Sequence, residues 1–206
     1  QLSEWRLWRR AANRMKARRS YIPQRKPIFI GCEGESEQGY AAYLQDLIHE
    51  AGLHVHLNIE VLKAGDPLAR LELAVRKLEQ LRKTRGNFTD RFVFLDTDQL
   101  ALSVDRAHRA RQLATQHGIR VIWQNPSYEA VLLRHFIGRA THRPPTNQLA
   151  KNALLQEWPQ YLKPMSRAEL AMKLSLDAVT RAAGVEDDLT ALLRCIGLMP
   201  PEDGAD

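Results

Sequence analysis

Ile28-Phe29-Ile30-Gly31-Cys32-Glu33-Gly34-Glu35-Ser36-Glu37 is a short apolar run that ends abruptly in carboxylates. Phe92-Val93-Phe94-Leu95-Asp96-Thr97-Asp98 repeats the arrangement later in the chain. Brief apolar runs bounded by Gly and acids read as buried strands. In open α/β sheets, ligands bind outside the carboxyl ends of parallel strands. Glu33, Glu37, Asp96 and Asp98 are therefore expected to meet in one crevice. Gathered carboxylates raise one another's pKa unless a cation neutralises them. Hard oxygen ligands of this kind suit Mg²⁺ or Mn²⁺, ions that act on phosphate esters.

Working outward, the punctuation alternates strands with helices. A helix is expected over about 37–51, capped by Ser36 or Glu35 and stopped at Gly52. Strand two, Val55 to Leu62, alternates Val55, Leu57, Ile59 and Val61, as near a sheet edge. Asp66 is an N-cap with Pro67 at N1, and the helix runs to Arg85 before Gly86. After Asp98 a helix covers about 104–117, and Gly118 stops it. Strand four is Ile119–Trp123. Asn125 then caps a helix over 126–137. Residues 139–150 read as a loop, followed by helices at 148–157, 166–183 and about 186–196. This β-α alternation predicts a mainly parallel four-stranded sheet with right-handed crossovers, flanked by helices. Three segments result: a basic arm and linker (1–26), an α/β core (27–137), and a loop with C-terminal helices packed on the core (138–206).

Charge sets the arm apart. The 206 residues carry a formal net charge of +6. Residues 1–26 hold nine Lys/Arg and one acid, which leaves the body at −2. Leu2, Trp5, Trp8, Ala12 and Met15 recur at helical spacing, with arginines between them. Such a helix packs on the body through its tryptophans, or it meets a polyanion through Arg6, Arg9, Arg10, Arg14, Lys16, Arg18 and Arg19. Its Arg-rich, acid-poor composition also admits a mitochondrial presequence. With two cysteines, Cys32 and Cys195, no disulfide framework is expected, and a reducing cytoplasm fits best. No apolar stretch approaches the length of a membrane span.

Order along the chain removes competing readings. Haloacid-dehalogenase phosphatases carry their acid pair on the first strand, whereas this chain's first strand ends in Glu33. Response-regulator receivers put paired acids after strand one and a single Asp after strand three, the opposite weighting. His54 and His56 project to one side of strand two, but without further nearby Cys or His they make a poor zinc site. Neither cysteine has a His/Asp relay in sequence, so thiol catalysis is not expected. His135 is a structural histidine or a substrate contact.

A strand ending in Glu-Gly, an acid four residues after that Glu, and a later strand ending in Asp-x-Asp together resemble the Toprim domain. This is the metal-binding α/β fold of topoisomerases, bacterial primases and the overcoming-lysogenization-defect nucleases. With Cys32–Glu37, Phe94–Asp98 and Asn125-Pro126-Ser127-Tyr128-Glu129-Ala130-Val131-Leu132-Leu133-Arg134-His135-Phe136, the chain looks closer still to the RloB-like family. That group of small Toprim proteins is associated with abortive phage infection and restriction operons. The basic segment before strand one and Tyr161-Leu162-Lys163 share the likeness, which spans roughly 5–180. Where the family is expected to carry a bulky aromatic, this chain has Val131, a position expected to face the core.

By position, the resemblance implies that Glu33 is the general acid/base or a metal ligand, and that Asp96 and Asp98 are the metal-binding pair. Glu37 matches the additional acid of the nuclease branch. Glu129 either reaches the same crevice or is a favourable charge near a helix N-terminus. Lys163 either stabilises a transition-state phosphate or is a surface lysine. The implied activity is Mg²⁺- or Mn²⁺-dependent hydrolysis of phosphodiesters in RNA, tRNA included, or DNA, with two ions. The implied partners are an ATPase of the ABC or SMC type and a second copy of the chain. Two other classes stay open: a non-catalytic nucleic-acid-binding or ATPase-docking module, and a phosphoryl-transfer enzyme acting on a small nucleotide.

Overall fold

β1 (Lys26–Cys32), β2 (Val55–Val61), β3 (Asp90–Asp96) and β4 (Arg120–Gln124) form one sheet in the order β2-β1-β3-β4, every neighbour parallel. The computed structural model describes residues 25–63 and 65–201, so the expected arm helix and its seven basic residues lie outside the described residues. Register pairs Cys32 with Val61 on one side and Phe94 on the other, and Asp96 with Gln124. The alternating pleat gives each strand two destinations. Ile28, Ile30, Cys32, Phe92, Phe94 and Ile122 enter one apolar layer. Phe29, Val93, Leu95 and Val121 enter the other. The middle strands are covered on both faces, which is why they read as continuous apolar runs. β2 is the edge its alternation predicts, with His56 exposed and Glu60 half-buried.

The order also sets which helix covers which face. The chain steps from β1 outward to β2, then reverses to β3 and β4. Right-handed crossovers therefore put α1 (Glu35–Glu50) on one face and α2 (Pro67–Arg85) and α3 (Val104–Gln116) on the other. Five further helices join α1: α4 (Tyr128–Leu133), α5 (Asn147–Glu157), α6 (Arg167–Lys173), α7 (Leu176–Ala183) and α8 (Asp187–Ile196). They form the C-terminal helical layer. Helices this short are marginal alone. Buried Leu170, Val179, Leu189, Leu192, Leu193 and Ile196 hold them, each worth about 1.5–3 kcal/mol on transfer from water. The molecule is α/β with a four-stranded parallel sheet flanked by helices, consistent with a Toprim-like fold.

Several boundaries differ from expectation. α1 begins at Glu35 with Gly34 as N-cap, because the Glu37 carboxylate accepts the Gly34 N–H at 3.1 Å in place of a Ser36 or Glu35 cap. The helix expected over 126–137 is only Tyr128–Leu133, and Ser127 rather than Asn125 is its N-cap. The Asn125 carbonyl instead accepts from Arg134 Nη2 at 2.8 Å. The helix expected over 166–183 is two, broken at Leu174 and Ser175. Leu174 is extended and its carbonyl accepts the Tyr43 hydroxyl, while Ser175 accepts from Ala178 N–H and starts α7 afresh. Asp66 and Ser103 cap α2 and α3 through their side chains.

Candidate active site

β1 is where the strand order reverses: the chain leaves it toward β2 and returns on its other side at β3. Ligands of open α/β sheets lie at this switch point, outside the carboxyl ends. Glu33 follows β1 there, and Asp96 ends β3. Glu33 Oε2 accepts the Asp96 backbone N–H at 2.8 Å, so the two strand ends are joined directly. Asp96 Oδ1 accepts the Tyr128 N–H at 2.9 Å, which ties the start of α4 to the same point. Glu37, only 4% exposed, sits one turn into α1.

α4 supplies Glu129, and the segment between α5 and α6 supplies Lys163. Lys163 Nζ lies 2.6 Å from Glu129 Oε1, and Ser127 Oγ donates to Glu129 Oε2 at 3.0 Å. Tyr161 O–H reaches Glu129 Oε1 at 3.4 Å. Of the two readings of Glu129, this places its side chain toward the crevice residues, and Lys163 is an exposed lysine that is its ion-pair partner. Asp98 is more exposed and accepts from Asn147 Nδ2 at 2.7 Å.

Electrostatics bind these groups into one unit. Burial, then the charges of Glu33 and Glu37, pushes the Asp96 carboxyl up to about 8. Burial also raises Glu33 and Glu37, against the pull of the Asp96 N–H and Arg70 on Glu33 and of Lys163 on both. Burial works against the Lys163 ammonium, yet the hydrogen bond and charge of Glu129, with Glu37 and Asp96 behind, hold its pKa above the usual lysine value. The cluster thus holds more acid than one lysine neutralises.

The donor set is carboxylate oxygen throughout, the chemistry that hard divalent cations select. Among the described residues, no three His, Cys, Asp or Glu side chains form a ready-made metal cage. Glu33 and Asp96 are each turned onto a protein donor instead. Mg²⁺ characteristically takes only one or two carboxylates and keeps its waters or substrate phosphates, so this donor set fits it without a cage. One or two of Glu33, Asp96 and Glu37 would hold such an ion.

Two residues of the site escaped the sequence reading. Arg70, in the first turns of α2, lies 3.2 Å from Glu33 Oε1, and its buried Nε and Nη1 have no hydrogen-bond partner among the described residues. Its position just after the Asp66-Pro67 helix start was the available signal. Gly39 is the other. A Cβ there would overlap the backbone carbonyl of Met165, so only glycine lets α1 approach the segment that carries Lys163. Gly39→Ala is expected to cost about 1–3 kcal/mol as an overpacked contact. Denaturant melts of wild type and variant check this. His135 is structural: it is 1% exposed, burial lowers it to about 4, Nδ1 donates to Val131 O, and Nε2 accepts from Tyr40 O–H. Val131 is buried in the core, as expected.

A profile described as RloB-like protein matches residues 28–191, most of the chain. The chain belongs to the RloB-like family. The match covers β1 from Ile28 on, β2, β3 and β4, both acid-bearing strand ends and the Lys163 segment. No curated protein and no solved structure matches the chain. Among the described residues no helix is long and apolar enough to cross a membrane.

Proposed function

We propose that this RloB-like protein is a metal-dependent nuclease that hydrolyses phosphodiester bonds of RNA or DNA. The observation that carries the reading is the crevice at the switch point, where Asp96, Glu33 and Glu37 crowd together and a buried carboxyl is pushed to about 8. Such crowding calls for a divalent cation. When bound, that ion supplies Lewis-acid polarisation of a phosphate oxygen and a more acidic water. Glu33, whose carboxylate is held by the Asp96 N–H and Arg70, would accept a proton from an attacking water. Lys163, its ammonium fixed by Glu129, would neutralise charge building on the phosphate. RloB-like membership extends the reading to an effector of anti-phage abortive infection, governed by an ATPase partner. A non-catalytic binding module is the second reading, favoured by the engagement of Glu33 and Asp96 with protein donors.

The test incubates purified protein with Mg²⁺ or Mn²⁺ and labelled plasmid, single-stranded DNA or bulk tRNA, beside Glu33→Gln. The expected result is cutting of at least one substrate that the variant loses by about 10²–10³-fold. No cutting with either metal, and with the partner ATPase added, refutes hydrolysis. A Glu33→Gln chain that keeps its full biological effect favours the binding module.

A further inference from the structure

The net charge of −2 over residues 27–206 conceals a division. α2 carries six Lys/Arg against two Glu, and α3 three Arg against one Asp, so this one helical layer holds +6. The rest of that stretch is at −8. Part of the positive charge is engaged: Lys77 with Glu60, Arg106 with Asp66, and Arg111 over the Trp123 ring. Arg76, Arg82, Lys83 and Arg109 are exposed and enter no ion pair among the described residues. Basic residues in a last turn are ordinarily explained by the helix dipole. That accounts for Arg82, Lys83 and Arg85. It does not account for Arg76 in mid-α2 or for Arg109 and Arg111 in mid-α3.

Cavities open along the seam between the two helices. One of about 160 Å³, bordered by Asp66 and Arg106, lies at the crevice end. One of about 450 Å³ lies at the far end, where Arg82, Arg91 and His117 face a single acid, Glu79. There Arg91 Nη1 already donates to the His117 carbonyl, offsetting the negative end of α3. At 1.5 Å per residue the 13 residues of α3 give the seam a length of about 20 Å, about six base-pair steps. An apolar anchor, which protein interfaces place at their centre, is missing: the only large hydrophobic exposed on either helix is Val104, at the first residue of α3. Seven of the nine basic residues are arginines, whose planar forks match phosphate oxygens in pairs.

We propose that the α2–α3 face is a nucleic-acid track: a polynucleotide backbone lies along the seam against Arg76, Arg82, Lys83 and Arg109, and leads past Arg106 into the carboxylate crevice. The inference rests on the reading of the crevice as a nuclease site, whose substrate path it supplies.

The test measures fluorescence anisotropy of a labelled 30-nucleotide strand and a 30-base-pair duplex on the full chain in EDTA, where binding is read without cleavage. The unaltered N-terminal segment contributes equally to every variant. Arg82→Glu/Arg109→Glu is expected to bind at least about tenfold more weakly than wild type, and to flatten the log–log salt dependence on duplex by about two phosphate contacts' worth, near 1.8 in slope. Arg76→Glu/Lys83→Glu, at separate exposed positions, is expected to act in the same direction and guards against misfolding of the first pair. Wild-type affinity and slope in both double variants overturn the track. So does loss of poly-glutamate binding with nucleic-acid binding retained, which assigns the face to an acidic protein. If the variants lose binding but wild type cuts nothing with Mg²⁺ or Mn²⁺, the track stands and hydrolysis fails. If wild type cuts and the variants bind as it does, hydrolysis stands and the track fails.

Discussion

Asp96→Asn is expected to abolish cleavage, by about 10²–10³-fold or more, and also to raise the melting temperature of the metal-free protein at pH 8. The two effects have one cause. The Asp96 carboxyl titrates near 8 in the folded protein because burial and the charges of Glu33 and Glu37 disfavour its ionised form. In the unfolded chain it titrates near its ordinary value of about 3.9. Below the unfolded pKa both states hold the proton and nothing is lost. Between the two values the folded state alone keeps it, so stability falls as pH rises, and the loss levels off above about 8. At about 1.4 kcal/mol per unit the full cost is on the order of 5 kcal/mol, or on the order of 10 °C in melting temperature. Asparagine removes that cost and keeps an oxygen for the Tyr128 N–H. Wild-type melts in EDTA from pH 5 to 8 should therefore slope downward, and those of the variant should slope less, because the burial that raises Glu33 and Glu37 remains. Mn²⁺ should lift wild type at pH 8 by mass action and leave the variant unmoved. A flat wild-type profile in EDTA would remove the electrostatic basis of the site.

The strand ends were legible because they are local. An apolar run stopping at Glu33, another stopping at Asp96, and clear helix signals at Asp66-Pro67, Gly86 and Gly118 need no tertiary information. The alternation of elements then allowed a parallel sheet in which those ends face the same way, as they do. What stayed hidden depends on distant partners. Leu174 leaves helical geometry where its carbonyl meets Tyr43, far earlier in the chain, and no local signal separates α6 from α7 beyond the capping capacity of Ser175. Asn125 carries the side chain of an N-cap, but its carbonyl is held by Arg134, so α4 starts later.

Charge misled in another way. A sum over residues 27–206 is near neutral, and a sum discards position. The same residues, assigned to faces by the topology, separate into a basic layer over one side of the sheet and an acidic remainder. Arg70 belongs to that layer by sequence yet turns toward Glu33. A linear count could not distinguish it from its exposed neighbours.

Arg134→Met is expected to destabilise the protein by about 3 kcal/mol and to reduce activity beyond what the loss of folded protein explains. Arg134 is the largest fully buried side chain among the described residues, 1% exposed. Nη1 lies 2.6 Å from Glu186 Oε1, and Nη2 donates to the Asn125 carbonyl. Burial lowers its pKa while Glu186 holds it up. Removing one partner of a buried pair leaves the other charge uncompensated, typically at 3–5 kcal/mol. Here Arg143, 3.3 Å from the same Glu186 oxygen, takes up part of that loss, so the lower end is expected. The activity effect follows from the second bond. Asn125 leads directly into Ser127 and Tyr128, whose N–H holds Asp96; with the carbonyl released, that N–H loses its fixed position. Arg134→Lys keeps the charge but cannot reach both acceptors with one ammonium, so it should recover stability more than turnover. Adding Glu186→Leu to Arg134→Met should return most of the stability, since an apolar replacement of a buried pair is often neutral, yet leave Asn125 without its donor. A double-mutant cycle by urea unfolding, with turnover measured on each variant, separates the two functions of the guanidinium. A single variant within 1 kcal/mol of wild type would show that the buried pair does not hold the loop.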